Sequence, residues 1–353
     1  MPVAQFAILV LMAAPAPGGA AAEGFADALG AFCDGDYSKA AHEFSAHALD
    51  GNRDYHLRFL GESFFYAGDY GKAESAFVQL AKMRDSRFAA IAPWRAADCL
   101  WMEGKREHAA AAYRKLIGGK SGADEAVGRF RVAEVAADAA LAKKDKSALE
   151  AATRAFAQIH VDFPAHPLGM AAGKRAAELA PAGAREKVRS EPTPRDRLQR
   201  AAALSKGHHW QEAVEELSLL PAALPVDLAA ERDLAMGMAK YHARRDYAGA
   251  AQSLLAVAPR LSGERAAFAA FHGARALSRI DRDDEAIANY RQVVGKYPSS
   301  SWAAEAQFRA GWLEINRGRF RQALPDLQET LLRYPRSAFA DDAAWYLTLA
   351  HYL

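Results

Sequence analysis

The chain has 353 residues, 51% hydrophobic and 25% charged, enough for an ordinary core and, by length, for two domains. Its 45 Lys and Arg stand against 43 Asp and Glu, and a formal net charge of +2 provides no continuous cationic field for nucleic acid. Alanine dominates and long β-branched stretches are absent, so the predicted class is all-α; Ala loses no side-chain entropy in a helix and lets helices cross closely.

At the N-terminus, MPVAQFAILVLMAAPAPGGAAAEG carries an apolar run from Phe6 to Ala14, followed by Pro, Gly and small residues. This pattern predicts a signal peptide over residues 1–22, with Ala20 and Ala22 meeting the small-residue rule before Glu23, although the first residues lack a Lys or Arg. The run is too short to span a bilayer. The mature protein is therefore expected to be periplasmic or otherwise extracytoplasmic, with no integral membrane segment after signal removal. Cys33 and Cys99 fall inside apolar helical patterns and are expected as buried thiols, with a disulfide between repeats as the alternative.

From Gly35 onward the sequence is periodic. GDYSKAAHEF at Gly35 returns as GDYGKAESAF at Gly68, GKREHAAAAY at Gly104, GHHWQEAVEEL at Gly207, RDYAGAAQSLL at Arg245, RDDEAIANY at Arg282 and GRFRQALPDL at Gly318. Tyr37 to Tyr70 is a step of 33, and Trp210 to Tyr247 a step of 37, the period of stacked helix-turn-helix units. Glycine permits the turn after the first helix. The aromatic beyond it, Tyr37, Tyr70, Trp210, Tyr247 or Phe320, fills the angle between paired helices. Three residues on, Ala40, Ala73, Ala213, Ala250 and Ala323 let the pair approach, and larger side chains there would overpack it.

The unit endings repeat as well. Lys296-Tyr297-Pro298 and Arg333-Tyr334-Pro335 are 37 residues apart, with Asp162-Phe163-Pro164 a looser copy. Proline stops the helix, and the serines of SSSWAAEA and RSAFADDA are expected to cap the next one. Trp302 and Phe339 follow in equivalent apolar positions. These signals predict hairpins over 24–50, 55–82, 88–117, 123–160, 196–220, 230–257, 264–297 and 301–334, with an additional helix over 164–180. PAGAREKVRSEPTP breaks the rhythm, giving an N-terminal array over 23–180, a linker over 181–194 and a C-terminal array over 195–353. The basic stretch Arg185 to Arg200 reads as solvated linker and helix start. The last segment, SAFADDAAWYLTLAHYL, reads as the first helix of an unfinished repeat, so any chemistry is expected beyond Leu353; its Trp345-bearing apolar face is expected to dock against the Phe320 repeat.

No reactive constellation emerges along the way. His42 and His47 are five apart, whereas zinc peptidases need two histidines four apart on one helical face. His208-His209 has no Cys, Asp or Glu cluster to complete a metal site. Gly118-Gly119-Lys120-Ser121 superficially looks like a phosphate loop, but Arg114 stands where its first glycine belongs. Glu285, Glu305, Glu314, Asp341 and Asp342 read as solvated helix charges, and no Gly-x-Ser-x-Gly turn is present. The expected sets of catalytic, cofactor-binding and metal residues are therefore all empty.

From Ala274 to Leu353, KYPSSSWAAEAQFRAGWLEINRGRFRQAL and RYPRSAFADDAAWYLTLAHYL resemble the helical-repeat region of soluble lytic murein transglycosylases, and more generally periplasmic tetratricopeptide-repeat proteins. The resemblance implies a tetratricopeptide-like α/α superhelix of stacked antiparallel helix pairs. It further implies a non-catalytic scaffold positioning a C-terminal lysozyme-like domain on peptidoglycan, where a catalytic glutamate acts as acid and then base. Neither Ser190-Glu191, in reverse order and in the linker, nor Glu329-Thr330 inherits that role. The alternative is a complete periplasmic tetratricopeptide adaptor that binds proteins or peptides in envelope assembly or cell division. In either case the implied partners are peptidoglycan or envelope proteins and peptides, with no nucleic acid and no cofactor.

Overall fold

The computed structural model describes residues 20–47, 52–119, 125–180 and 192–353. Most of the predicted signal peptide, Lys120-Ser121 of the glycine-rich loop and residues 181–191 of the predicted linker lie outside them. The described residues form eighteen α-helices and no strand. They group into two compact units, one spanning Met1–His160 and Leu168–Arg189, the other Val161–Pro167 and Ser190–Leu353.

In the first unit, α1 (Ala20–Cys33) pairs with α2 (Tyr37–Ala46), α3 (Arg53–Ala67) with α4 (Tyr70–Ala81), and α5 (Ala92–Met102) with α6 (Arg106–Leu116). Phe130 and Phe156 meet edge to face, 5.2 Å between centroids, where α7 (Glu125–Lys143) joins α8 (Lys146–Asp162). Next comes α9 (Pro167–Leu179). The second unit pairs α10 (Pro194–Lys206) with α11 (Trp210–Ser218), α12 (Val226–Ala243) with α13 (Tyr247–Val257), α14 (Gly263–Ser278) with α15 (Asp283–Lys296), and α16 (Ala303–Asn316) with α17 (Phe320–Arg333). Helix α18 (Ala340–Tyr352) packs on α17 and α16.

The pairs close as their small residues dictate. Ala40, Ala73, Ala213, Ala250 and Ala323 are all 0% exposed. Gly311 of α16 sits so near α17 that a β-carbon there would lie 2.9 Å from Leu327. The core continues from one pair to the next: Tyr241, Phe271, Ile287, Tyr290 and Leu313 share a cluster drawn from α12, α14, α15 and α16.

Three local expectations need correction. Ser300 and Ser337 do not cap α16 and α18; their hydroxyls are buried without a partner, and Trp302 and Phe339 occupy the cap positions. Neither helix has a side-chain cap; turn aspartates cap other helices, Asp36 on α2, Asp69 on α4 and Asp246 on α13, accepting from the N–H of Lys39, Lys72 and Gly249. The left-handed turn residue is also not always glycine. Gly35, Gly68, Gly104 and Gly318 take it, but Gly207 has φ −82° and His208 adopts φ 63° in its place, as do Arg244 and Asp281 in the glycine-free turns. Cys33 is exposed at the end of α1 while Cys99 is buried, and both are free thiols. Burial pushes the Cys99 thiol up to about 12.

Candidate binding surface

The first helix of each pair carries the informative side chains. In the first unit, Arg58 and Glu62 stand four apart on α3, and Arg95 and Asp98 three apart on α5, so each pair shares a helix face. Arg95 bridges the two helices. Its Nε and Nη2 donate to Glu62 at 2.9 and 2.6 Å, and its Nη1 donates to Asp98 at 2.6 Å. Arg131 of α7 reaches the same aspartate at 2.6 Å, and Tyr113 Oη donates to it at 2.6 Å. Arg58 Nη1 lies 2.8 Å from Glu62, aligned as a charge contact and not as a hydrogen bond.

Aromatic faces complete this ladder. The Arg95 guanidinium is 4.1 Å from the centre of the Phe65 ring, and Arg106 and Arg131 both lie over Trp101. Burial opposes the charge on Arg95, yet the bonds to Glu62 and Asp98 hold its pKa well above the ordinary value. Burial, reinforced by Asp98, raises the Tyr113 phenol as well. Arg58, Arg95 and Arg131 all close on Glu62 or Asp98, and Arg106 pairs with Asp138 of α7 at 3.0 Å.

On α14 of the second unit, rings take the place of charges. On α14, Phe268, His272, Arg275 and Arg279 follow at i, i+4, i+7 and i+11, a single stripe. His272 is only 7% exposed and sits among Phe268, Tyr241 and Trp302, with centroids at 4.4, 5.6 and 5.0 Å. Its burial, helped by Arg275, lowers the imidazole pKa to about 4, so it is neutral at pH 7. Farther along, Trp210 stacks on His242 at 4.4 Å, and Trp312 Nε1 donates to Tyr346 Oη at 3.2 Å.

The residues weighed for chemistry are dispersed or structurally committed. His47 ends α2 with Glu43 3.7 Å away, and His209 caps α11 facing Glu212 at 3.4 Å. Among the described residues no group of three His, Cys, Asp or Glu could hold a metal ion. Gly118 is a left-handed turn residue after α6. Glu285 pairs with Arg282 and Glu305 with Arg309. Glu314 is not solvated: at 4% exposure it meets Arg291 at 3.2 Å and Arg319 at 3.4 Å, while Arg291 also holds Asp326 at 2.7 Å. Arg197, expected as solvated, is buried and donates to Glu216 at 3.0 Å. A cavity of about 620 Å³ in the first unit is lined by residues that include Asp27, Asp34, Asp36, Lys39 and Glu43. Another of about 390 Å³ is lined by Arg195, Leu198, Gln199, Asp227, Leu228 and Glu231.

The arrangement is suited to presenting side chains along adjacent helices. Residues 268–300 and 305–337 each match the tetratricopeptide repeat family model, and these two segments cover α14 with α15 and α16 with α17. The pairs α1–α2, α3–α4, α5–α6, α10–α11 and α12–α13 each bury an alanine at the same place after the turn, Ala40, Ala73, Ala109, Ala213 and Ala250, in an all-α, tetratricopeptide-like architecture of stacked antiparallel pairs.

Similar solved structures include a tetratricopeptide repeat protein from Parabacteroides merdae, 11% identical, TM-score 0.30, with 84% of this chain and 98% of that one covered. The C-terminal part of a repeat-containing protein from Cytophaga hutchinsonii is 15% identical, TM-score 0.37, covering 81% and 98%. The TPR2AB domain of yeast Sti1, solved in complex with pHSP90, is 14% identical, TM-score 0.30, covering 85% and 99%. No curated protein matches.

Two features of this surface were missed by sequence reading. Glu62, Arg95, Asp98 and Arg131 meet across separations of about one repeat, and a repeat-phase alignment of the first helices alone would have brought them together. The aromatic enclosure of His272 depends on Trp302, which was legible only as a periodic apolar residue.

Proposed function

We propose that this chain is a non-catalytic tetratricopeptide scaffold that binds a protein or peptide partner along the first helices of its pairs. The α14 stripe carries this reading, because it combines aromatic and cationic side chains on a helix face with no reactive constellation beside it. Aromatic and Arg side chains supply large contact area and directional bonds at protein interfaces.

The finer form of the reading is a scaffold that positions a lysozyme-like domain on peptidoglycan, supported by the resemblance over Ala274–Leu353. An extracytoplasmic location is part of the proposal and rests on the composition of Met1 to Gly24.

Two measurements test these readings. Purified protein is incubated with a peptide array and, separately, sedimented with purified peptidoglycan. Peptide capture that weakens in Arg275→Ala supports the adaptor; co-sedimentation without peptide capture supports the murein scaffold; absence of both would overturn the binding reading. N-terminal sequencing of protein exported from a bacterial host tests cleavage before Glu23.

A further inference from the structure

Helix α18 leaves open the face by which its counterpart α16 is built into the fold. On α16, Gln307, Phe308, Gly311, Glu314 and Ile315 are buried. Helices α17 and α18 help to cover them: Gln307 Nε2 donates to Asp326 at 2.8 Å, Gly311 faces Leu327, and the Phe308 ring lies 6.1 Å from that of Tyr346. The residues one repeat of 37 later are Ala344, Trp345, Thr348, His351 and Tyr352. All five are exposed, Tyr352 at 86%.

This open face is complementary to itself. Its residues follow at i, i+1, i+4, i+7 and i+8, a single stripe along the helix. Trp345 and Tyr352 carry its apolar bulk beside the smaller Ala344 and Thr348, while exposed Asp341 and Asp342 occupy the first turn and exposed His351 the last. Two such helices laid antiparallel bring the acidic turn of each to the histidine-bearing turn of the other, with their dipoles opposed. With Asp342 set opposite His351 of the second copy, Asp341 falls opposite Tyr352 and Trp345 opposite Thr348. A two-fold axis then repeats every contact.

We propose that the open face of α18 pairs with the same face of a second copy of this chain, antiparallel and in this register, each helix covering the other as α17 covers α16. The inference goes beyond the partner-binding reading and stands apart from it. A second copy supplies the reversed order of acid and histidine by symmetry, which fits it to this face at both ends. Trp345 and Tyr352 together offer roughly 300 Å² per copy, short of the ~800 Å² per partner of a standard interface. The pairing is therefore weak and reversible, with a Kd on the order of 100 μM.

Sedimentation velocity of the full chain between about 5 and about 500 μM should show a monomer passing into a dimer. Trp345→Glu should weaken the dimer about tenfold. His351→Glu, which sets acid against Asp342 of the second copy, should weaken it about threefold, and Asp342→Arg/His351→Glu should restore the wild-type constant. At about 5 μM every form is monomeric and should keep the wild-type circular dichroism melt, which separates lost pairing from lost folding. A wild-type chain that stays monomeric throughout would overturn this inference. So would a dimer indifferent to Trp345→Glu or to His351→Glu, or a His351→Glu loss that the double exchange fails to restore. Peptide capture is a separate readout and decides the partner-binding reading by itself.

Discussion

The first helices of the first unit carry three arginines closed on Glu62 and Asp98, whereas those of the second unit leave Arg275 and Arg279 open beside a run of aromatic rings. First helices are therefore used in two ways. At α3, α5 and α7 of the first unit, charge joins neighbouring helices and is consumed by the fold; at α14 of the second, Phe271, Trp302 and Tyr290 make the junction by ring packing, while ion pairs join α15, α16 and α17 farther on.

Breaking the ladder should have the largest effect. Arg95→Ala would leave Glu62, 6% exposed, without its bidentate partner, and should cost about 3–5 kcal/mol, read as a lower urea midpoint in far-ultraviolet circular dichroism. A loss below about 1 kcal/mol would mean that the ladder contributes little and that the two units are held alike.

The ring-packed junction should instead respond to acid. Folded His272 titrates near 4 against an ordinary value of 6.5, so the unfolded chain binds the proton first as pH falls. Its contribution to stability is intact above pH 6.5, declines between 6.5 and 4 and is fully lost below 4, a change on the order of 3 kcal/mol. His272→Phe should flatten the melting temperature across that window relative to wild type. An unchanged pH profile would show that His272 is solvated or paired.

Smaller effects are expected where both units share one design. Ala323→Leu should overpack α16 against α17 and cost about 1–3 kcal/mol by thermal melt, and Ala73→Leu should do the same between α3 and α4. At the low end, Trp345→Glu should change stability by less than about 0.5 kcal/mol, because Trp345 is 61% exposed. Helix α18 does dock, as its sequence suggested, but through Ala343, Tyr346, Leu347 and Ala350, with Trp345 turned away.

Much of the architecture could be read in advance because it is local. The turn signature, the alanine three residues after the aromatic and the Tyr-Pro endings each act within one hairpin, and helix periodicity carries them to the correct faces. What could not be read depends on which of several equivalent groups wins a contest. Serine and aspartate both cap helices, and here turn aspartates cap α2 and α4 while the Ser300 and Ser337 hydroxyls are buried without a partner ahead of α16 and α18. Gly207 and His208 could each have taken the left-handed turn, and the histidine did. Charged residues read singly as solvated, such as Glu314 and Arg197, found partners from other helices. The binding surface was less legible than the fold for the same reason, since it consists of residues whose partners, or lack of them, emerge only after stacking.

Hydrogen exchange of the whole chain with and without a peptide captured from the array tests the central claim most directly. The account predicts slowed exchange concentrated in α14 and the turn after α12, with α3 and α5 unchanged. Slowed exchange confined to α3 and α5, around Arg58 to Asp98, would contradict it.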